Sequence, residues 1–315
     1  MAALLTTNSG DTDKIYSFVE ECKKMGLPVL QPDVNLSFNG FGVMKRKTEL
    51  NNSDHDQIRF GLKTIKNLGE GIAENIVEER KKNGFYKNLE DFLVRNAAHK
   101  DLSKKSLEAL ALSGALDSLV DRNEVLANIQ SLLDFIKEIR EHDSQQDSLF
   151  SLMGQDQQIS HLSLQGFENK RVTLKTGSNS ELEYILPMNE MEKLFWEKEL
   201  LGLYISSHPL ESRREKIEKS GLSISNIKEG RIKQSYKIYG VMDELKIITT
   251  KKGKQMAFAK ISDMGDSLEV VIFPDVYKKF AEILNINKIY ALKGTLEKRD
   301  GEFSFILEEI KLLTK

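Results

Sequence analysis

With one cysteine, Cys22, in 315 residues, the chain can form no internal disulfide and no Cys-rich zinc site, and its expected setting is a reducing compartment. Proline is scarce, at 5 residues. Nowhere do about 18 apolar residues run on without interruption, and the opening MAALLTTNSG has neither a basic leader nor a long apolar core. Membrane spanning and secretion are therefore not expected, and the chain reads as cytoplasmic. Charge of one sign is also missing: 46 Lys+Arg against 48 Asp+Glu leave a net of −2, so any polyanion must be met by local patches. No metal ligands are expected, because the five histidines, His55, His99, His142, His161 and His208, stand without ligand spacing. HExxH, GxSxG and GxxxxGK[ST] do not occur, so no catalytic residue is assigned. Asp263/Asp266 and Glu308/Glu309 read as solvated pairs in a turn and on a strand end, not as a two-metal site.

What is present suffices for several cores: 40% hydrophobic and 30% charged residues at a mean hydropathy of −0.39. The length suits two or three domains, at about 100–200 residues each. Residues 14–25 place Ile15, Phe18, Val19 and Cys22 at helical spacing, with Gly26 and Pro28 where a helix should stop. The following LPVLQPDVNLSFNGFGV suits extended segments and turns, closing a first unit over 1–52.

From Gln57 the pattern changes to short helices around glycines. Leu62, Ile65, Leu68 and Gly69 superpose on Leu107, Leu110, Ser113 and Gly114 at a constant offset of 45 (107 − 62 = 114 − 69), which predicts a tandem helix-hairpin-helix unit over 53–140. In such a hairpin Gly69 and Gly71 are expected to take positive φ. The next helix then starts with free N–H groups that can hold a DNA phosphate without reading a base. Lys63, Lys66, Arg80, Lys81 and Lys82 would add counterion-release affinity. A generic αα-corner with a glycine turn fits the same residues. A third helix is expected through NEVLANIQSLLDFIKEIR.

Residues 141–190 carry eight acids against three bases with many Gln and Ser, the composition of a mobile acidic connector. Within it QQDSLF strands an apolar pair. Either Gln146, Leu149 and Phe150 form a short motif that fills a partner's groove, or the pair docks on its own chain. Asn189 and Glu192 form a capping box, opening a helix that should end near Gly202; the connector and this linker occupy 141–230.

Residues 231–315 alternate as strands: five of them, with a helix between the third and fourth. That order predicts a five-stranded OB-fold barrel, here with 16 bases against 12 acids. The loops such a barrel uses for nucleic acid carry Lys251, Lys252 and Lys254 after the first strand, and Lys298 and Arg299 before the fifth. Phe258, Tyr239 and Phe303 are candidate stacking platforms, although a strand aromatic equally serves a core. The fold class expected overall is multidomain α+β.

Taken in order, these segments resemble the C-terminal portion of the alpha subunit of bacterial DNA polymerase III, the C-family replicative polymerase. The opening to VLQPDVN is similar to the end of that family's fingers domain, IRFGLKTIKNLGEGIAENIVEER to its tandem helix-hairpin-helix unit, QDSLF to its internal sliding-clamp-binding pentapeptide, and EKELLGLYISSHPL to the stretch ahead of its OB domain. The resemblance implies a part that grips duplex and single-stranded template DNA during chromosome replication. It implies the sliding clamp and other replisome subunits as partners, no cofactor in this chain, and Mg2+ only in a palm domain whose aspartates have no counterpart here. The chain alone would then lack nucleotidyl transfer and be a piece of a longer polymerase, and it shows no segment like the further domain that contacts the clamp loader's tau subunit. The competing reading is a repair or tRNA-associated adaptor carrying helix-hairpin-helix and OB modules.

Overall fold

The computed structural model describes residues 1–45, 56–150, 189–220, 222–299 and 301–313, with backbone alone at 12–13, 142–150, 220 and 299. The chain separates into two compact units, Met1–Ser206 and Ser207–Lys315.

The first unit opens with α1 (Ala2–Thr7) and α2 (Thr12–Lys24). The Asp11 side chain accepts from the Lys14 N–H and so caps α2; Ile15, Val19 and Cys22 face inward as expected. Gly26, at φ +70, ends the helix where the sequence placed its stop.

Three short strands follow: β1 (Val29–Leu30), β2 (Gly42–Met44) and β3 (Gln57–Arg59). β3 lies between the others, parallel to β1 and antiparallel to β2. The sheet therefore joins both sides of the boundary expected at 52. One continuous core runs from Leu5 through Ile58 and Phe60 to Ile139 and Leu203.

The helical part comprises α3 (Glu70–Asn83), α4 (Leu89–Asn96), α5 (Lys104–Leu112), α6 (Arg122–Ala127), α7 (Ile129–Phe150) and α8 (Glu190–Leu201). The single third helix expected from the sequence is two, parted at the buried Asn128, whose Nδ2 donates 2.8 Å to the Glu124 carbonyl. α7 runs on to Phe150, into the segment read as connector. Both halves of the Asn189–Glu192 capping box are made, and Gly202, at φ +84, closes α8.

In the second unit α9 (Arg214–Ser220) and α10 (Ile224–Lys228) precede β4 (Ser235–Thr249), β5 (Gln255–Ser262), β6 (Ser267–Ile272), α11 (Pro274–Phe280), β7 (Ile289–Arg299) and β8 (Glu302–Leu312). The five strands close a barrel in the order β4-β5-β6-β8-β7. β6 and β8 pair in parallel at Val270↔Phe305, and the other neighbours pair antiparallel. This is the OB topology, with α11 between the third and fourth strands as the turn signals indicated. Ile224 and Ile227 of α10 belong to the barrel's core. Asp263, read from sequence as solvated, is buried instead. Its carboxylate accepts from the N–H groups of Ile224, at 2.6 Å, and of Gly265 and Asp266, both at 2.9 Å. It thus ties α10 to the β5–β6 turn.

Candidate nucleic-acid interface

The hairpin begins with a single 3-10 turn at Leu62–Thr64 and leads into α3 through Gly69. Leu62, Ile65, Leu68, Ile72 and Ile76 are buried, so the apolar spacing seen in the sequence is core packing. The glycine geometry differs from the expectation. Gly69 has φ −64 and N-caps α3, while the positive φ of the turn, +70, belongs to Asn67. Gly71 is needed for space: a Cβ there would stand 3.1 Å from Asp101 Oδ2 and 3.3 Å from His99 Cε1.

In the second repeat Gly114 has φ +82 and closes α5, with the Ala115 N–H reaching the Leu110 carbonyl at 2.9 Å. The two glycines matched by the offset therefore do opposite things: Gly69 starts a helix and Gly114 stops one. The repeat is one of buried apolar positions, Leu62 and Ile65 against Leu107 and Leu110.

The first turn of α3 receives no side-chain cap, which leaves its N–H groups as donors. The flanking cations are unequally available. Lys63 pairs with Glu70 at 3.3 Å and Lys66 with Glu199 at 2.6 Å. Arg80, expected to contact phosphate, is buried, and its guanidinium donates to the carbonyls of Val34 at 2.7 Å and Ser37 at 2.6 Å. Burial pulls its pKa below the ordinary arginine value, with Tyr86 and Asp33 opposing. Arg80 thus serves as a structural strut. Lys81 and Lys82 are exposed.

α8 returns to this hairpin. The Lys66 N–H donates 2.9 Å to the Leu200 carbonyl, and the buried Glu197 accepts from Gln31, Ser206 and the Ile205 N–H. The backbone of Gln146, Leu149 and Phe150 forms the end of α7. Their side chains, and residues 151–188 of the connector, lie outside the described residues.

On the barrel a groove is lined by Phe258 and Phe303 with Lys228, Lys246 and Lys260, and also by Glu244, Glu269 and Glu302. Strand register explains the set. Lys246, Phe258 and Val271 align across β4, β5 and β6, and Glu244, Lys260 and Glu269 form the next row on the same face. Lys298 Nζ stands 4.6 Å from the centre of the Phe303 ring. Lys251 and Lys252 are exposed on the β4–β5 turn, and Lys254 approaches Asp275 at 3.7 Å. The side chain of Arg299 lies outside the described residues. Tyr239 is half-buried under Lys216, away from the groove lining. Lys228, Lys246 and Lys260 were missed in the sequence reading, although the two-residue period that puts Phe258 on this face also puts Lys260 there.

Among the described residues no three His, Cys, Asp or Glu side chains gather as a metal site, and no helix is long and apolar enough to cross a membrane.

Comparison with known proteins matches the helix-hairpin-helix motif family over residues 26–125 and the OB-fold nucleic acid binding domain family over 236–313. The chain is similar over 26% of its length to a mitochondrial single-stranded DNA binding protein of S. cerevisiae, at 13% identity and a TM-score of 0.23, covering 97% of that chain. Along 98% of its length the chain is 32% identical to DNA polymerase III subunit alpha of Borreliella burgdorferi, of which it covers 25%, and equally to that of Deinococcus radiodurans, of which it covers 22%. It spans about a quarter of the length of such relatives. A chain matched from end to end in this way, with helix-hairpin-helix and OB-fold parts in that order, is a relative of the bacterial DNA polymerase III alpha subunits and corresponds to their C-terminal portion.

Proposed function

We propose that the chain is the DNA-gripping and clamp-tethering part of a replicative polymerase and works in the cytoplasm with other replisome subunits. The observation that carries this reading is the serial arrangement of a helix-hairpin-helix unit and a closed OB barrel in a chain akin to alpha subunits over 98% of its length. The hairpin takes duplex DNA, with a phosphate at the uncapped start of α3 beside Gly69 and Gly71, Lys63 and Lys66 alongside it and Lys81 farther along α3. The barrel takes single-stranded template. Phe258 and Phe303 offer stacking faces, Lys246, Lys260 and Lys298 stand among them, and Lys251, Lys252, Lys254 and Arg299 stand on the two loops. Gln146, Leu149 and Phe150 engage the sliding clamp. Nucleotidyl transfer and its Mg2+ belong to the remainder of the polymerase, so this chain incorporates no nucleotide by itself.

The groove's three lysines are balanced by three glutamates. Affinity for single strands should therefore come largely from stacking, with a salt slope shallower than that of duplex binding, where each neutralised phosphate contributes about −0.9 to the slope of log K against log salt. The test titrates the whole chain with blunt duplex, single strand and immobilised sliding clamp across a salt series. Salt-steep duplex binding, a shallower single-strand response and clamp capture lost on joint Leu149→Ala and Phe150→Ala substitution support the reading. Flat salt dependence with duplex leaves the hairpin as an αα-corner, and an unchanged clamp affinity in the double variant removes the tether.

A further inference from the structure

Beyond the far end of α3 the chain presents an aromatic side chain that neither the hairpin nor the barrel uses. Gly84 turns the backbone out at φ +83, and Phe85 follows with 66% of its surface exposed, the most among the exposed large apolar side chains of the described residues. A single exposed phenylalanine is ordinary. This one is held rigidly. Arg95 donates from Nη2 to the Gly84 carbonyl at 2.9 Å and the Glu79 carbonyl at 3.1 Å, and from Nη1 to the Phe85 carbonyl at 3.4 Å. On the other side Tyr86 is buried, its N–H donating 2.8 Å to Asn35 Oδ1 and its hydroxyl 2.9 Å to the Ile76 carbonyl. The Arg95 guanidinium lies 4.3 Å over the Tyr86 ring centre. The backbone on either side of Phe85 is thus anchored to the core while its ring faces solvent.

The surroundings are cationic. Lys81 and Lys82 occupy the last turn of α3 and Lys87 follows two residues after Phe85; all three are exposed. Among the described residues none has an acidic partner within 4 Å. Of the acids close by in sequence, Glu79 and Asp91 are engaged by Arg95, and Glu78 and Glu90 stand against the three lysines in number. At the hairpin, by contrast, both Lys63 and Lys66 are paired.

We propose that Phe85, with Lys81, Lys82 and Lys87, is a further DNA contact, a platform on which an unpaired base stacks while adjoining phosphates meet the lysines. A flat ring presented from an anchored backbone, with cations around it, matches both halves of a nucleotide. The end of α3 that carries the platform, at Asn83, stands about 18 Å along the helix from Gly71, at about 1.5 Å per residue, so one strand can reach both.

The chain has one tryptophan, Trp196, so the pair Trp196→Phe and Phe85→Trp places a single indole reporter at the platform of the complete chain. Titration with oligo(dT) should quench it saturably, and Phe85→Ala in the otherwise unaltered chain should weaken single-strand binding about five- to tenfold. Lys81→Gln and Lys82→Gln should each flatten the salt slope for oligo(dT) by about 0.7. Because the barrel binds single strands independently, oligo(dT) that binds without quenching overturns the platform and leaves the barrel reading standing. Quenching by an acidic peptide but not by oligo(dT) assigns the surface to a protein partner and equally overturns it.

Discussion

Lys66 Nζ lies 2.6 Å from Glu199 Oε1, an ion pair that joins the hairpin to α8 across 133 positions of sequence. A phosphate approaching the hairpin therefore competes with a carboxylate already in place. Both side chains are more than half exposed, at 59% and 57%, so the competition is modest. Glu199→Gln should raise duplex affinity about two- to threefold at low salt. The gain should vanish in a Lys66→Gln background, and anisotropy titrations over the four-member cycle test this. A gain that persists without Lys66 would trace the effect to another residue.

Arg80→Gln separates structure from binding. The substitution leaves the Val34 and Ser37 carbonyls without their donor, at about 1–3 kcal/mol for each buried group left unsatisfied. The expected result is a lower urea midpoint for the first unit with an unchanged duplex salt slope. A slope reduced by about 0.9 would mean that Arg80 touches phosphate after all.

Gly114→Ala should destabilise the first unit by at least about 2 kcal/mol, since a left-handed backbone and a steric conflict coincide. A Cβ there would run into Arg122 Nη2, which is held 2.7 Å from Asp117 Oδ2. Urea unfolding of this variant beside Gly10→Ala, where a Cβ meets nothing within 4 Å, provides the measurement. Equal midpoints would contradict the geometry.

Burial pushes the Cys22 thiol above its ordinary pKa, so the unfolded chain ionises first as pH rises. Stability should be independent of this group at lower pH and fall as pH passes through the unfolded thiol's range, near about 8.5. Cys22→Ala should remove that portion of the alkaline decline. The native thiol should react slowly with a disulfide reagent at neutral pH and rapidly in urea, whereas fast labelling of the folded chain would show an accessible thiolate.

The barrel was legible because alternation over Tyr236–Ile248, Gln255–Ser262 and Glu302–Leu312 is a two-residue signal interrupted by Gly-containing turns, and local chemistry alone decides it. The capping box at Asn189 was legible for the same reason. What escaped depends on distance. Nothing local distinguishes Arg80, which is buried against carbonyls 43 and 46 residues earlier, from exposed Lys81. Nor could spacing reveal that Gly69 and Gly114 cap opposite helix ends. The end of α7 was missed because a helix whose last turns are polar shows no apolar stripe to read. The hairpin's basic residues were visible, but Glu70 pairs with Lys63 only once the turn has formed, and Glu199 with Lys66 only once α8 has folded back.

That return of α8 has a mechanical consequence. α7 and α8 both belong to the first unit, α7 secured by Arg140 on the Ala97 and His99 carbonyls and α8 by the Leu200 carbonyl on the Lys66 N–H. A nick within 151–188 should leave α8 seated on the hairpin, and doubling the number of residues between the two helices should cost only about 0.6 kcal/mol of closure entropy. A partner bound near Phe150 would therefore pull on the one unit that holds both helices.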